Sequence, residues 1–254
     1  MKALQHVTHG NVFLGRNRGF NPKAASLSNY AKASAVAYPP VKAWERPIYW
    51  LMLGNDTVGD CVIARLLHQI MALFAVANAG MSKVFTTDQA IQVYSAITGY
   101  VPGDPSTDNG TDPDAACEYW KTTGIFGDKI AGYVNVDITN IDLIRSSLYL
   151  FGGVGFALDV PAYVMQVPAG GDWSEPSTSV DTTIKGGHEV YLCGYGRNGF
   201  RCVSWGTTYT FNLDFLGKYG QNIDAVVSPD WIKQSGVSPT GVDLTGLLAD
   251  LTAN

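Results

Sequence analysis

Two residues far apart in the chain have the types and settings that nucleophilic catalysis needs. Cys61 ends a turn-forming run, Gly54-Asn55-Asp56-Thr57-Val58-Gly59-Asp60, and opens the apolar stretch CVIARLLHQIMALFAVAN over residues 61–78. A thiol at a helix start sits at the positive end of the aligned peptide dipoles, which favours the thiolate. His188 lies in Lys185-Gly186-Gly187-His188, at the expected start of a strand in the other half of the chain. Glycines before it let another backbone or a substrate approach closely. A cysteine at a helix start and a histidine at a strand start can form a thiolate–imidazolium pair. The imidazole takes the thiol proton and later returns it to the leaving group. His6 and His9 fall outside structured-looking segments, and His68 lies two turns into the apolar helix.

The elements that must position this pair follow from periodicity. Residues 61–78 are apolar on most faces, with a narrow stripe of Arg65, His68, Gln69 and Ala72, so the helix is expected to be buried. Further helices are expected over 86–98, 113–123 (Pro113 near its start) and 139–149. Strands are expected at 130–136, 153–160, His188–Tyr195 and Phe200–Phe211, the last two joined by the hairpin Gly196-Arg197-Asn198-Gly199. Helices first and antiparallel strands second imply an α+β fold of two lobes.

The chain has 254 residues, 46% hydrophobic and only 15% charged, with 28 glycines, which excludes wholesale disorder. Residues 1–44 hold Lys2, Arg16, Arg18, Lys23, Lys32 and Lys42 and no acid, so that segment is +6 and the other 210 residues are −11, for a net charge of −5. An acidic body argues against nucleic acid as a partner. The basic arm is expected to pack on the body or to reach a partner molecule. Cys61, Cys117, Cys193 and Cys202 form no CxxC pair, so no zinc site or other metal is expected; Cys193 and Cys202, on the two hairpin strands, are expected to be core thiols, or to form a bridge in an oxidising setting. Asp104, Asp108, Asp112 and Asp114 are expected to form a solvated acidic loop. No signal peptide and no transmembrane run are recognised, which points to a cytoplasmic or virion-associated protein without membrane partners.

Several ordered motifs resemble the papain-like cysteine peptidases. They are Gly54-Asn55…Gly59-Asp60-Cys61-Val62-Ile63-Ala64, Gly187-His188-Glu189-Val190…Gly194-Tyr195-Gly196 and Val203-Ser204-Trp205-Gly206. Pro40-Val41-Lys42-Ala43-Trp44-Glu45, Asn109-Gly110…Ala116…Tyr119…Gly124-Ile125 and Gly153-Val154-Gly155-Phe156-Ala157-Leu158 fit the same pattern. The resemblance implies a helical N-terminal lobe at about 40–128 and an antiparallel β lobe at about 129–227. A basic arm (1–39) precedes them and an appendage (228–254) with a short helix near 242–251 follows. It implies Cys61 as nucleophile, His188 as acid–base, and Asn55 in the place of the family's oxyanion-holding Gln. The third-member place falls on Val203, which cannot accept the imidazole N–H, or on Ser204 if the register slips by one. Trp205 would shield the histidine. No cofactor is implied, and the substrate would be a peptide or protein. The Gly-Asn-Asp…Gly-Asp-Cys and Ser228–Trp231 patterns also look like a group found in bacteria and their phages. That suggests an alternative, a non-catalytic papain-fold protein, such as a capsid-decorating virion component, held in an assembly by the arm at 1–44.

Overall fold

The computed structural model describes residues 3–7, 10–17, 25–27, 37–45, 49–78, 81–229 and 231, with 240, 245, 246 and 249. Five helices are described. α1 (Cys61–Ala77) starts after Asp60 and is buried along nearly its whole length. α2 (Thr87–Thr98) begins in a capping box, Thr86 with Gln89, and stops at Gly99 in the left-handed region. α3 (Pro113–Thr122) is capped by the Asp112 carboxylate, which accepts from the N–H groups of Asp114 and Ala115. α4 (Ile141–Phe151) is capped by Asn140 and ends at Gly152, and α5 (Leu213–Tyr219) is capped by Asn212.

Strands β1 (Ala3–Val7) and β2 (Gly10–Leu14) form a hairpin. The main sheet runs β3 (Ala25–Ser26), β5 (Gly132–Val136), β10 (Gly220–Val227), β6 (Val154–Pro161), β7 (Ile184–Tyr195), β8 (Gly199–Ser204), β9 (Thr207–Asn212), with β4 (Lys42–Ala43) pairing β7. All pairings but β3 with β5 are antiparallel. Two cores result. One joins α1, α2 and α3 through Leu66, Leu67, Tyr94 and Trp120. The other packs α4 and α5 on the sheet through Leu148, Phe156, Phe211 and Phe215. The fold is therefore α+β with two lobes, and the stripe on α1 is the seam: His68 Nε2 lies 2.8 Å from the Leu51 carbonyl, and Gln69 donates to the Gly153 carbonyl at 3.3 Å.

Several expectations change. β7 begins at Ile184, so His188 lies within the strand and not at its start. The expected Phe200–Phe211 strand is two strands, split at Trp205-Gly206, both at positive φ (47° and 73°), a turn that matches the strand twist. The sequence pattern predicts neither α5 nor β10, although β10 is central to the sheet. His6 lies in β1, opposite Asn11. Asp108, far from being solvated, is buried: Gly59 N–H reaches both its oxygens (3.1 and 3.2 Å) and the Tyr94 hydroxyl donates to it at 2.6 Å. All four cysteines are free and buried. An irregularity between Leu192 and Gly194 puts Leu192, not Cys193, opposite Cys202. The helix near 242–251 lies outside the described residues apart from three helical positions. Among the described residues no helix is long and apolar enough to cross a membrane, and no group of three His, Cys, Asp or Glu side chains is placed to hold a metal.

Candidate active site

Cys61 is the first residue of α1, completely buried at the seam between the lobes. The turn before it closes through the Val58 N–H and the Gly54 carbonyl (3.0 Å), with Leu53 and Gly54 at positive φ. The backbone N–H groups of Gly15 and Glu189 face the thiol and favour its ionisation, but burial outweighs them and pushes its pKa up to about 12. Asn55, six residues before Cys61, is buried, with its side-chain oxygen unpartnered. Asp60 is also buried, with both carboxyl oxygens unpartnered. Burial, and then the Asp108 charge, raise its pKa well above the ordinary carboxylate range.

Strand alternation decides which residue meets His188. Tyr191 pairs with Val203, so Val203 shares the Glu189–Tyr191–Cys193 face, and Ser204 falls on the face of His188 and Val190. Val203 packs with Ala72, Tyr191 and Cys193. Ser204 Oγ lies 2.7 Å from His188 Nε2, and no slip of the observed register is needed to bring it there. The other ring nitrogen, Nδ1, is buried without a hydrogen-bond partner. The Trp205 indole stacks on the imidazole (centroids 4.8 Å apart, planes at 21°) and is itself walled by Trp173 and Tyr209. Its φ of 47°, uncommon for a bulky residue, is what aims it there from the turn. Burial, helped by the nearby Arg16 charge, depresses the His188 pKa to about 3.

The cleft between the lobes is filled by the chain's own arm. Phe13 N–H donates to the Asn55 carbonyl (2.9 Å), Arg16 N–H to Gly187 (3.1 Å) and Asn17 N–H to Thr111 (2.8 Å), while Thr111 N–H donates to Gly15 (2.8 Å). Val12 and Leu14 are buried in the β-lobe core. Gly15 passes between Gly59 and Gly110 so closely that a Cβ on it would strike the Gly59 carbonyl. The Arg16 guanidinium pairs with Asp159, Nη2 to Oδ1 at 3.0 Å. This segment carried only a charge excess in the sequence; the one usable sign was a glycine beside an arginine.

Beneath the thiol, Arg65 is one turn along α1 from Cys61. Its guanidinium is paired with Asp224 on β10 and lies 3.8 Å from Glu189 on β7, with Cys117 Sγ of α3 at 3.8 Å. The cluster joins the helix bearing Cys61 to the strand bearing His188. Burial, and then the Asp224 charge, raise the Glu189 pKa. One arginine in an otherwise apolar helix was its signal in the sequence.

No family model matches the sequence, and no curated protein matches it. Solved structures do. Xylellain, a cysteine protease from Xylella fastidiosa, superposes with a TM-score of 0.67 at 14% identity over 85% of this chain and 96% of that one. The procathepsin L2 proteinase of the Tenebrio molitor larval midgut gives 0.59 at 15% identity over 84% and 77%. The ragweed pollen cysteine protease Amb a 11, in its proform, gives 0.60 at 14% identity over 83% and 72%. The chain has the papain-like fold of these cysteine proteases.

Proposed function

We propose that the protein is a papain-like cysteine peptidase held latent by its own N-terminal segment. The observation that carries this reading is the setting of His188: one ring nitrogen engaged by Ser204, one face covered by Trp205, and Nδ1 left without a partner. With Nε2–H donating to Ser204 Oγ, Nδ1 is the basic nitrogen and takes the Cys61 proton. Sγ then bonds to the substrate carbonyl carbon. The oxyanion is met by the Cys61 N–H and the Asn55 amide. The C–N bond breaks as His188 protonates the amine, and water releases the acyl group.

The docked arm accounts for latency. Gly15 turns an N–H toward the thiol, and its carbonyl oxygen is engaged by Thr111. A nucleophile needs a carbonyl there, so the arm blocks the cleft without presenting a bond for attack. Two of the structural neighbours are likewise described as precursor forms.

Val203 at the third-member place, Asn55 in place of a Gln, and the basic arm would each favour the alternative of a non-catalytic assembly protein. Ser204 at the imidazole and the arm's place in the cleft weigh against two of these motives; Asn55 alone continues to favour it. The test is hydrolysis of a mixed peptide pool by the full chain carrying Gly15→Ala. Cleavage lost in Cys61→Ala and in His188→Ala is expected. Cleavage that persists in both, or its absence in a folded Gly15→Ala chain, contradicts the reading.

A further inference from the structure

We infer that the cleft takes peptides carrying an arginine side chain beside the reacting centre, and that Asp159 is the residue that reads it. As a statement about substrates, this rests on the peptidase reading above.

Asp159 is near the end of β6, directly opposite Gly187 on β7 and thus one strand over from the segment bearing His188. It is 8% exposed, and the Arg16 side chain seated on it is 3% exposed. Among the described residues the guanidinium makes two contacts, both from Nη2: 3.0 Å to the Asp159 carboxylate and 3.5 Å to the Leu158 carbonyl. Gly187 leaves the space: a Cβ there would come within 2.7 Å of the Arg16 carbonyl oxygen and 3.0 Å of its guanidinium. Leu158, the other acceptor, lies directly opposite His188 in the same strand pair, and the guanidinium charge disfavours the imidazolium there.

The Arg16 guanidinium, always charged, reaches both acceptors through Nη2, so the place takes a cationic side chain of that length. An acidic side chain in the same place would set two like charges together in a largely buried corner, and an apolar one would lose the ion pair. Asp159 and Leu158 belong to the body, not to the arm, so the preference stays when the arm leaves. A substrate must run in the opposite chain direction to bring a carbonyl to Cys61, but the acidic corner remains fixed beside His188. The −11 charge of residues 45–254 also draws cationic peptides toward the body.

The test uses the full chain with Gly15→Ala and Arg16→Ala, whose arm neither passes the constriction nor fills the subsite. The probe is a fluorescein-labelled peptide with the sequence of residues 12–17, in versions with Arg, Lys, Ala or Glu at the arginine position, read by fluorescence anisotropy. The Arg form is expected to bind at least roughly tenfold tighter than the Ala and Glu forms, with Lys between them. Asp159→Asn should erase the difference, and Asp159→Glu should keep part of it. Equal binding of the four peptides, or a preference surviving Asp159→Asn, overturns the inference. Binding is read without turnover. Arginine preference in a folded chain that cleaves nothing therefore supports the subsite while counting against the peptidase reading.

Discussion

His188 Nε2 and Ser204 Oγ are 2.7 Å apart on one face of the β7–β8 pair, and Nδ1, the nitrogen to which the proposed mechanism gives the thiol proton, is buried without a hydrogen-bond partner. Ser204→Ala removes the Nε2 partner without emptying much volume. A lost hydrogen bond of about 1–2 kcal/mol corresponds to a roughly five- to thirtyfold fall in kcat/KM. Steady-state kinetics on an arm-released chain should show it in kcat, with a shifted pH profile and recovery in Ser204→Thr. An unchanged kcat would mean that Ser204 only fills space.

Asn55 is proposed to supply one of two oxyanion donors. Asn55→Ala should lower kcat about a hundredfold with KM little changed, the signature of a contact made in the transition state. A rise in KM with kcat constant would make Asn55 a substrate-binding residue instead.

The pH dependence follows from His188. Its pKa is about 3 with the arm docked, against the ordinary 6.5, because burial and then the Arg16 charge disfavour imidazolium. Between those values a released form binds a proton that the docked form does not. Docking is therefore at full strength above about pH 6.5 and weakens as the pH falls, by up to about 1.4 kcal/mol per unit. In NMR titrations the His188 imidazole should stay neutral to below about pH 4 in the native chain and titrate at higher pH in Gly15→Ala. Identical titration in both chains would separate the arm from the histidine.

The Arg65–Glu189–Asp224 cluster ties the lobes together. Arg65→Met leaves two buried acids without their cation and should cost about 3–5 kcal/mol in urea unfolding. Arg65→Met with Glu189→Gln and Asp224→Asn should recover part of this. A loss below about 1 kcal/mol in the single variant would show that water reaches the cluster.

Much of the fold was legible because periodicity and turn chemistry are local. The apolar run after Cys61, Thr86 and Pro113 at the starts of α2 and α3, and the Asn198-Gly199 hairpin each carry their own signal, whereas Asp112, expected in a solvated loop, turns out to cap α3. What was missed depends on contacts between distant segments. β10 contains Gln221, Asn222 and Asp224 and gains its strand form from two flanking partners. Ser204 meets His188 through a register that only the paired strands define. Gly15 lies at Cys61 because Gly59 and Gly110, 44 and 95 residues further on, leave room for it.

The most direct measurement is the labelling of each cysteine by a thiol-specific peptidyl inhibitor, followed by mass spectrometry, in the native chain and in Gly15→Ala. The account predicts slow labelling of all four cysteines in the native chain. In Gly15→Ala it predicts rapid labelling of Cys61 alone, abolished by His188→Ala. Equally slow labelling of Cys61, Cys117, Cys193 and Cys202 in a folded Gly15→Ala chain would contradict it.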